Sequence, residues 1–153
     1  LYEGHLHQIG SQAELYKNPS STVVASLMGN PAMNLLTVVR DGKRFVAQQN
    51  SQVYFESSES ATNQLDPSRK SFLLGLWPED IKISLTPKDG FIKSQLYGQE
   101  YRGTDRIISL AVGDETLKKM VSTEFEGRFG DDCWFSCDSE KIFLFDPSTG
   151  QRS

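Results

Sequence analysis

From residue 32 onward the chain is divided into short apolar runs with Gly, Asp, Pro or Ser between them. The runs fall at residues 34–40, 43–48, 53–55, 72–77, 81–85, 91–97, 106–112, 117–122, 133–137 and 141–145. Short runs at such intervals, separated by turn residues, specify the strands of an all-β barrel or sandwich rather than helices. Between the first two runs stands Asp41-Gly42, a hairpin signal because a tight two-residue turn needs positive φ. Residues 57–71 are polar, with Pro67 and Leu65 among them, and read as a mobile loop. The run 141–145 is apolar at both parities of the strand, so it is expected in the middle of a sheet rather than at an edge.

The first thirty residues have a different character. Residues 1–9 read as a strand broken by Gly10. Ser11-Gln12-Ala13-Glu14 then fits a capping box, in which the Ser hydroxyl and the Glu carboxylate serve each other's backbone N–H groups. Asn18-Pro19 stops that helix early. A second helix is predicted over 21–28, with Gly29 as its C-terminal cap and Pro31 preventing restart. The chain opens on Leu1 with no initiating Met, which reads as a piece of something longer.

Composition narrows the function. With 153 residues the chain is one domain, or one with an appendage. Sixteen basic against 20 acidic side chains give a net charge of −4, which argues against nucleic acid as a partner. The longest apolar run, 72–77, is far short of the ~20 residues that span a membrane. Cys133 and Cys137 are the only cysteines. On one strand their Cα atoms stand about 13 Å apart at ~3.3 Å per residue, beyond the ~7 Å disulfide limit. They read as free thiols of a reducing compartment.

No phosphate loop, dinucleotide fingerprint, zinc-protease helix, nucleophile elbow or EF-hand loop occurs. No catalytic residue, cofactor site or metal site is assigned. His5 and His7 share one strand face without nearby carboxylates and read as solvated. Glu79-Asp80, after Pro78, and Asp131-Asp132, after Gly130, read as turn residues serving local N–H groups. Tyr54, Phe55, Phe72 and Trp77 read as core, and Lys118, Lys119, Arg102 and Arg106 as solvated faces.

Several strings in order carry a resemblance. They are 4–10 (GHLHQIG), 14–19 (ELYKNP) and 24–35 (VASLMGNPAMNL), then 74–81 (LGLWPEDI) and 142–152 (IFLFDPSTGQR). Together they are similar to the end of the ATP-binding subunit of sugar-type ABC importers, the maltose and glycerol-3-phosphate class. The matched positions are Gly10, Pro19, Gly29, Pro31, Asn34, Trp77, Pro78, Glu79, Asp80, Phe145, Asp146 and Gly150.

The resemblance implies a mainly β fold of OB-like barrels built from interleaved antiparallel strands. Residues 1–30 would be the tail of an ATPase domain, with a strand and two short helices, and 31–153 an OB-type regulatory domain. Its role would be regulation and pairing, without catalysis; ATP and Mg would be held by an ATPase domain outside these blocks. The implied partners are a second copy, the membrane-spanning subunits reached through the ATPase domain, and in some relatives a cytoplasmic regulatory protein. The implied location is cytoplasmic, peripheral at the inner face of a bacterial plasma membrane. Trp77 departs from the family's usual Arg, and Gln95 stands where Glu is common, so an Arg–Glu contact there would be replaced by apolar packing. The alternative reading is a barrel that senses a small oxyanion or sugar phosphate.

Overall fold

A computed structural model of the chain describes residues 18–27, 32–48, 52–63, 65–113 and 115–153. The strand expected over 1–9, the capping-box helix, Gly10, Gly29 and Pro31 lie outside the described residues. The fold is mainly β, in two antiparallel five-stranded sheets. The first is ordered β10-β4-β1-β2-β3, from β1 (Asn34–Asp41), β2 (Arg44–Ala47), β3 (Tyr54–Glu56), β4 (Ser71–Leu76) and β10 (Phe143–Phe145). The second is ordered β5-β9-β6-β7-β8, from β5 (Ile81–Ser84), β6 (Ile92–Tyr101), β7 (Asp105–Val112), β8 (Glu115–Ser122) and β9 (Asp132–Cys137). Among the described residues two short α-helices accompany them, α1 (Thr22–Leu27) and α2 (Glu59–Asn63).

The β1–β2 hairpin forms where the sequence places it, shifted by one residue. Asp41 pairs with Arg44, so the loop is Gly42 and Lys43. Gly42 takes φ +62, and the residue without a Cβ occupies the first loop position.

Together the sheets make the OB-like barrel, and the second of them is bent at β6. β6 changes partner along its length, pairing with β9 over 92–95 and with β7 over 96–101. A bulge between Leu96 and Gly98 marks the change, as bulges do where a strand must bend. The seam between the two sheets, where β1 meets β8, is polar. β2 pairs with β1 only from Val38 on, and beside the free half of β1 lies β8. There the Asn34 amide donates to the Lys118 carbonyl at 2.9 Å and accepts the Lys118 N–H at 2.7 Å. The Thr37 N–H donates to the Glu115 carboxylate at 3.2 Å. Side chains thus complete a ladder that backbone pairing leaves unfinished.

Between the sheets lies the main core, with Leu36, Val38 and Phe72 on one side and Leu110, Leu117 and Phe135 on the other, all buried. Burying each such side chain contributes roughly 1.5–3 kcal/mol. Phe45 meets Phe72 edge-on at 5.7 Å between ring centroids, and Phe55 reaches Phe135 across the sheets at 6.2 Å.

Two expectations are corrected. Residues 57–71 are more than a polar loop: they contain α2, and Leu65 is 6% exposed and belongs to the main core. A single apolar anchor ties the segment down. The run 141–145 divides into a short 3-10 turn, Ser139–Lys141, and β10, which sits at the edge of its sheet and not in the middle. Its double-sided burial has another cause. Ile142 and Leu144 face the main core, whereas Phe143 and Phe145 face a second cluster outside the sheet. The free edge is closed by the chain's own end, through a bridge from Phe145 to Arg152 and a bond from the Ser153 N–H to the Leu144 carbonyl at 2.9 Å.

Candidate functional site

Of the matched positions, Trp77 and Phe145 meet on the outer face of the first sheet, where α1 lies, and Pro19, Asp146 and Gly150 lie in the clasp beside it. Six residues are too few for an isolated helix to persist in water, so α1 depends on its contacts. The Ser21 hydroxyl accepts the Val24 N–H at 3.3 Å as an N-terminal cap. Ala25 is fully buried against Met33, Trp77, Phe143 and Phe145. This second cluster is where Trp77 and Phe145 meet.

A clasp formed by the last residues holds the segment before α1. Ser21 bridges Gln151, the Thr22 N–H donates to the Gly150 carbonyl at 2.8 Å, and the Arg152 N–H donates to the Ser20 carbonyl at 2.7 Å. The Arg152 guanidinium bonds the Asn18 side chain, reaches the Pro19 carbonyl at 3.4 Å and lies 4.6 Å from the Phe143 ring centroid. The turn that aims these residues is built on Asp146. Its carboxylate accepts the Ser148 N–H at 2.8 Å and the Ser148 hydroxyl at 2.7 Å, and pairs with Arg69 at 2.6 Å. The Ser148 bonds, then Arg69, hold the Asp146 carboxyl well below the usual carboxylate range. Gly150 has φ +75, and a Cβ there would lie 2.5 Å from the Thr22 hydroxyl oxygen. Only glycine fits both the backbone and the neighbour.

Pro78, Glu79 and Asp80 form a 3-10 turn after Trp77, with the Asp80 N–H donating to the Trp77 carbonyl at 3.0 Å. Both acids lie in that turn, and Asp80 pairs with Lys141 at 3.5 Å. Burial pushes the nearby Lys119 ammonium down, while Glu79 and Asp80 push it back up. Gln95, paired by resemblance with the position of Trp77, instead donates to the Gly130 carbonyl at 3.0 Å. Trp77 is 2% exposed and lies in the apolar cluster.

Sequence reasoning missed Arg69, whose contact with Asp146 spans about half of the chain, and misread Arg106. That arginine is buried, not solvated. It lines a cavity of about 560 Å³ beside the β6–β7 hairpin and the segment 123–131. Cys133 is buried and Cys137 half-buried, both free. Burial and then neighbouring acids push the first thiol up to about 11 and the second to about 12, so neither is nucleophilic at neutral pH. Among the described residues no group of three or more His, Cys, Asp or Glu could hold a metal ion. No helix among them is long and apolar enough to cross a membrane.

No protein-family model matches the chain. It is similar to the sn-glycerol-3-phosphate import ATP-binding protein UgpC of Escherichia coli O6:H1, with 30% identity over 97% of the chain and 41% of the relative. It is also similar to the trehalose/maltose import ATP-binding protein MalK of Thermococcus litoralis, with 27% identity over 99% of the chain and 42% of the relative. The chain therefore spans about two fifths of the length of these relatives. Among solved structures, the cytoplasmic molybdate-binding protein ModG shares the fold. Its TM-score is 0.59 at 12% identity, covering 74% of this chain and 96% of that one. The ordered motifs and the near-complete coverage agree that this chain is similar to the C-terminal part of the ATP-binding subunits of sugar-type ABC importers.

Proposed function

We propose that this region is a non-catalytic regulatory and pairing domain of an importer's ATP-binding subunit. One observation carries the reading: the β-domain grips the segment 18–27 from two sides, with the clasp at 150–152 and the apolar cluster under α1. A segment held at both its backbone and its side chains moves with the sheet. Displacement of whatever precedes it is then transmitted to the β-domain as a rigid body. The division into residues 1–30 and 31–153 belongs to this proposal, with the grip as the joint between the two parts.

In this reading a second copy pairs through the β-domain by an isologous contact. ATP and Mg are handled by an ATPase domain that also meets the membrane-spanning subunits at the cytoplasmic face, and a cytoplasmic regulator has the β-domain as its docking body. Sedimentation of the purified chain is expected to give a dimer at high concentration, and calorimetry no binding of MgATP. A strict monomer overturns the pairing role; micromolar MgATP binding overturns the non-catalytic one.

A second reading, sensing of a small oxyanion, is supported by the buried cation in the 560 Å³ cavity and by the fold shared with a molybdate-binding protein.

A further inference from the structure

We infer that the cavity beside the β6–β7 hairpin is an anion site, in which the Arg106 guanidinium takes a small carboxylate or tetrahedral oxyanion. The inference rests on the second reading above and gives it a location.

Arg106 is 3% exposed, yet no ion pair among the described residues includes it. Its acceptors are neutral: the Gln99 side-chain oxygen at 2.7 Å and the Phe125 carbonyl. Its Nε is buried with no hydrogen-bond partner. A guanidinium has five N–H donors, so donors remain after those two bonds. The rings of Tyr101 and Phe125 lie 5.5 and 5.4 Å from its central carbon. Cation–π attraction offsets part of the desolvation, but a buried cation ordinarily has a counter-ion. This one has space beside it instead.

The surrounding wall is built rather than loose. Gly127 is buried, and a Cβ there would meet the Phe125 ring at 2.4 Å and a Leu96 methyl at 2.7 Å. The segment 125–127 is therefore packed down onto β6. Thr123 and Arg128 add a hydroxyl and a second cation to the lining. Two acids also line it. Asp131 has one carboxylate oxygen committed to the Arg128 N–H at 2.9 Å, and both Asp131 and Glu126 are exposed to solvent. The lining therefore places its acids in water and one cation out of it. A volume of about 560 Å³ lies within the range of small-molecule sites, roughly 300–1,000 Å³.

The test follows the Arg106 Nε–H resonance of the full chain in ¹⁵N-resolved spectra. Sulfate, phosphate, molybdate and acetate are titrated separately, with ionic strength held constant by sodium chloride, and melting temperature is measured in parallel. At least one of the four is expected to move that resonance saturably and to raise the melting temperature, as a native-state ligand must. Arg106→Lys, which keeps the charge and loses the planar fork, should weaken binding about tenfold or more. If that variant fails to fold, Arg128→Ala on the exposed rim should weaken binding more modestly. Saturable stabilisation with the Arg106 resonance unmoved overturns this site and leaves the sensing reading standing. No saturable response to any of the four anions overturns both.

Discussion

Asn34 does the work of a strand residue with its side chain. Its amide offers a donor and an acceptor at the spacing of a peptide group, so it pairs with Lys118 as a backbone neighbour would. Asn34→Ala leaves a Lys118 N–H and carbonyl without those partners, at a cost of about 2–3 kcal/mol. Asn34→Asp keeps the acceptor but sets a carboxylate oxygen against the Lys118 carbonyl, and should cost at least as much. Urea unfolding of both variants measures this; a loss within 0.5 kcal/mol (roughly the scatter of surface substitutions) would show the seam to be held elsewhere. Gly150 poses a different problem, because a Cβ meets both an unfavourable φ and the Thr22 hydroxyl. Gly150→Ala should lose about 1–2 kcal/mol from the backbone alone and more from the contact. In the Thr22→Ala background the contact part should vanish, so the two changes should be non-additive. None of this is legible locally. Asn34 appears in the sequence only as a motif letter, and its partner lies 84 residues away.

At the scale of elements, the first sheet is a wall with a core on each side. Alternation along 142–145 sends Ile142 and Leu144 inward and Phe143 and Phe145 outward. The sequence shows two apolar faces plainly, but not that a six-residue helix covers one of them. It also does not show that the chain's last residues close the edge, and that is why a central position was expected for β10. Leu65 illustrates the converse, since one apolar residue in a polar stretch has no period to announce its burial. The strands themselves were legible because their turns carry glycines and their inward positions alternate. The departure at Trp77 is testable at this scale. Trp77→Arg restores the family's usual residue, but puts a cation among Ala25, Met33, Phe143 and Phe145 without a carboxylate at Gln95 to receive it. Stability should fall by about 3 kcal/mol or more, with α1 released from protection in hydrogen exchange. Wild-type stability in this variant would show that the cluster tolerates a charge.

For the whole molecule, the clasp makes stability depend on acid. Asp146 titrates below the usual carboxylate range in the fold, so the unfolded chain binds its proton more tightly. The stabilisation is then fully present above the unfolded carboxylate value of about 3.9 and is lost as pH falls below it. Asp146→Asn should flatten the decline in melting temperature between about pH 4.5 and 2.5; an unchanged slope would assign acid sensitivity to other carboxylates. The functional part of the fold was only half legible. The motif letters named Asp146, Gly150, Trp77 and Phe145, while their convergence is a property of the folded topology. Arg106 went unrecognised because a charged residue in a strand is ordinarily a surface residue, and only packing revealed it as buried. The clasp has one more consequence. Residues 20–22 run antiparallel against 150–152, so the chain enters and leaves the β-domain at neighbouring points. Such a body has no privileged starting place. A short linker from residue 153 back to residue 18, with the chain reopened at an exposed turn such as the one at Gly103, should give a circular permutant with the barrel's pairing unchanged.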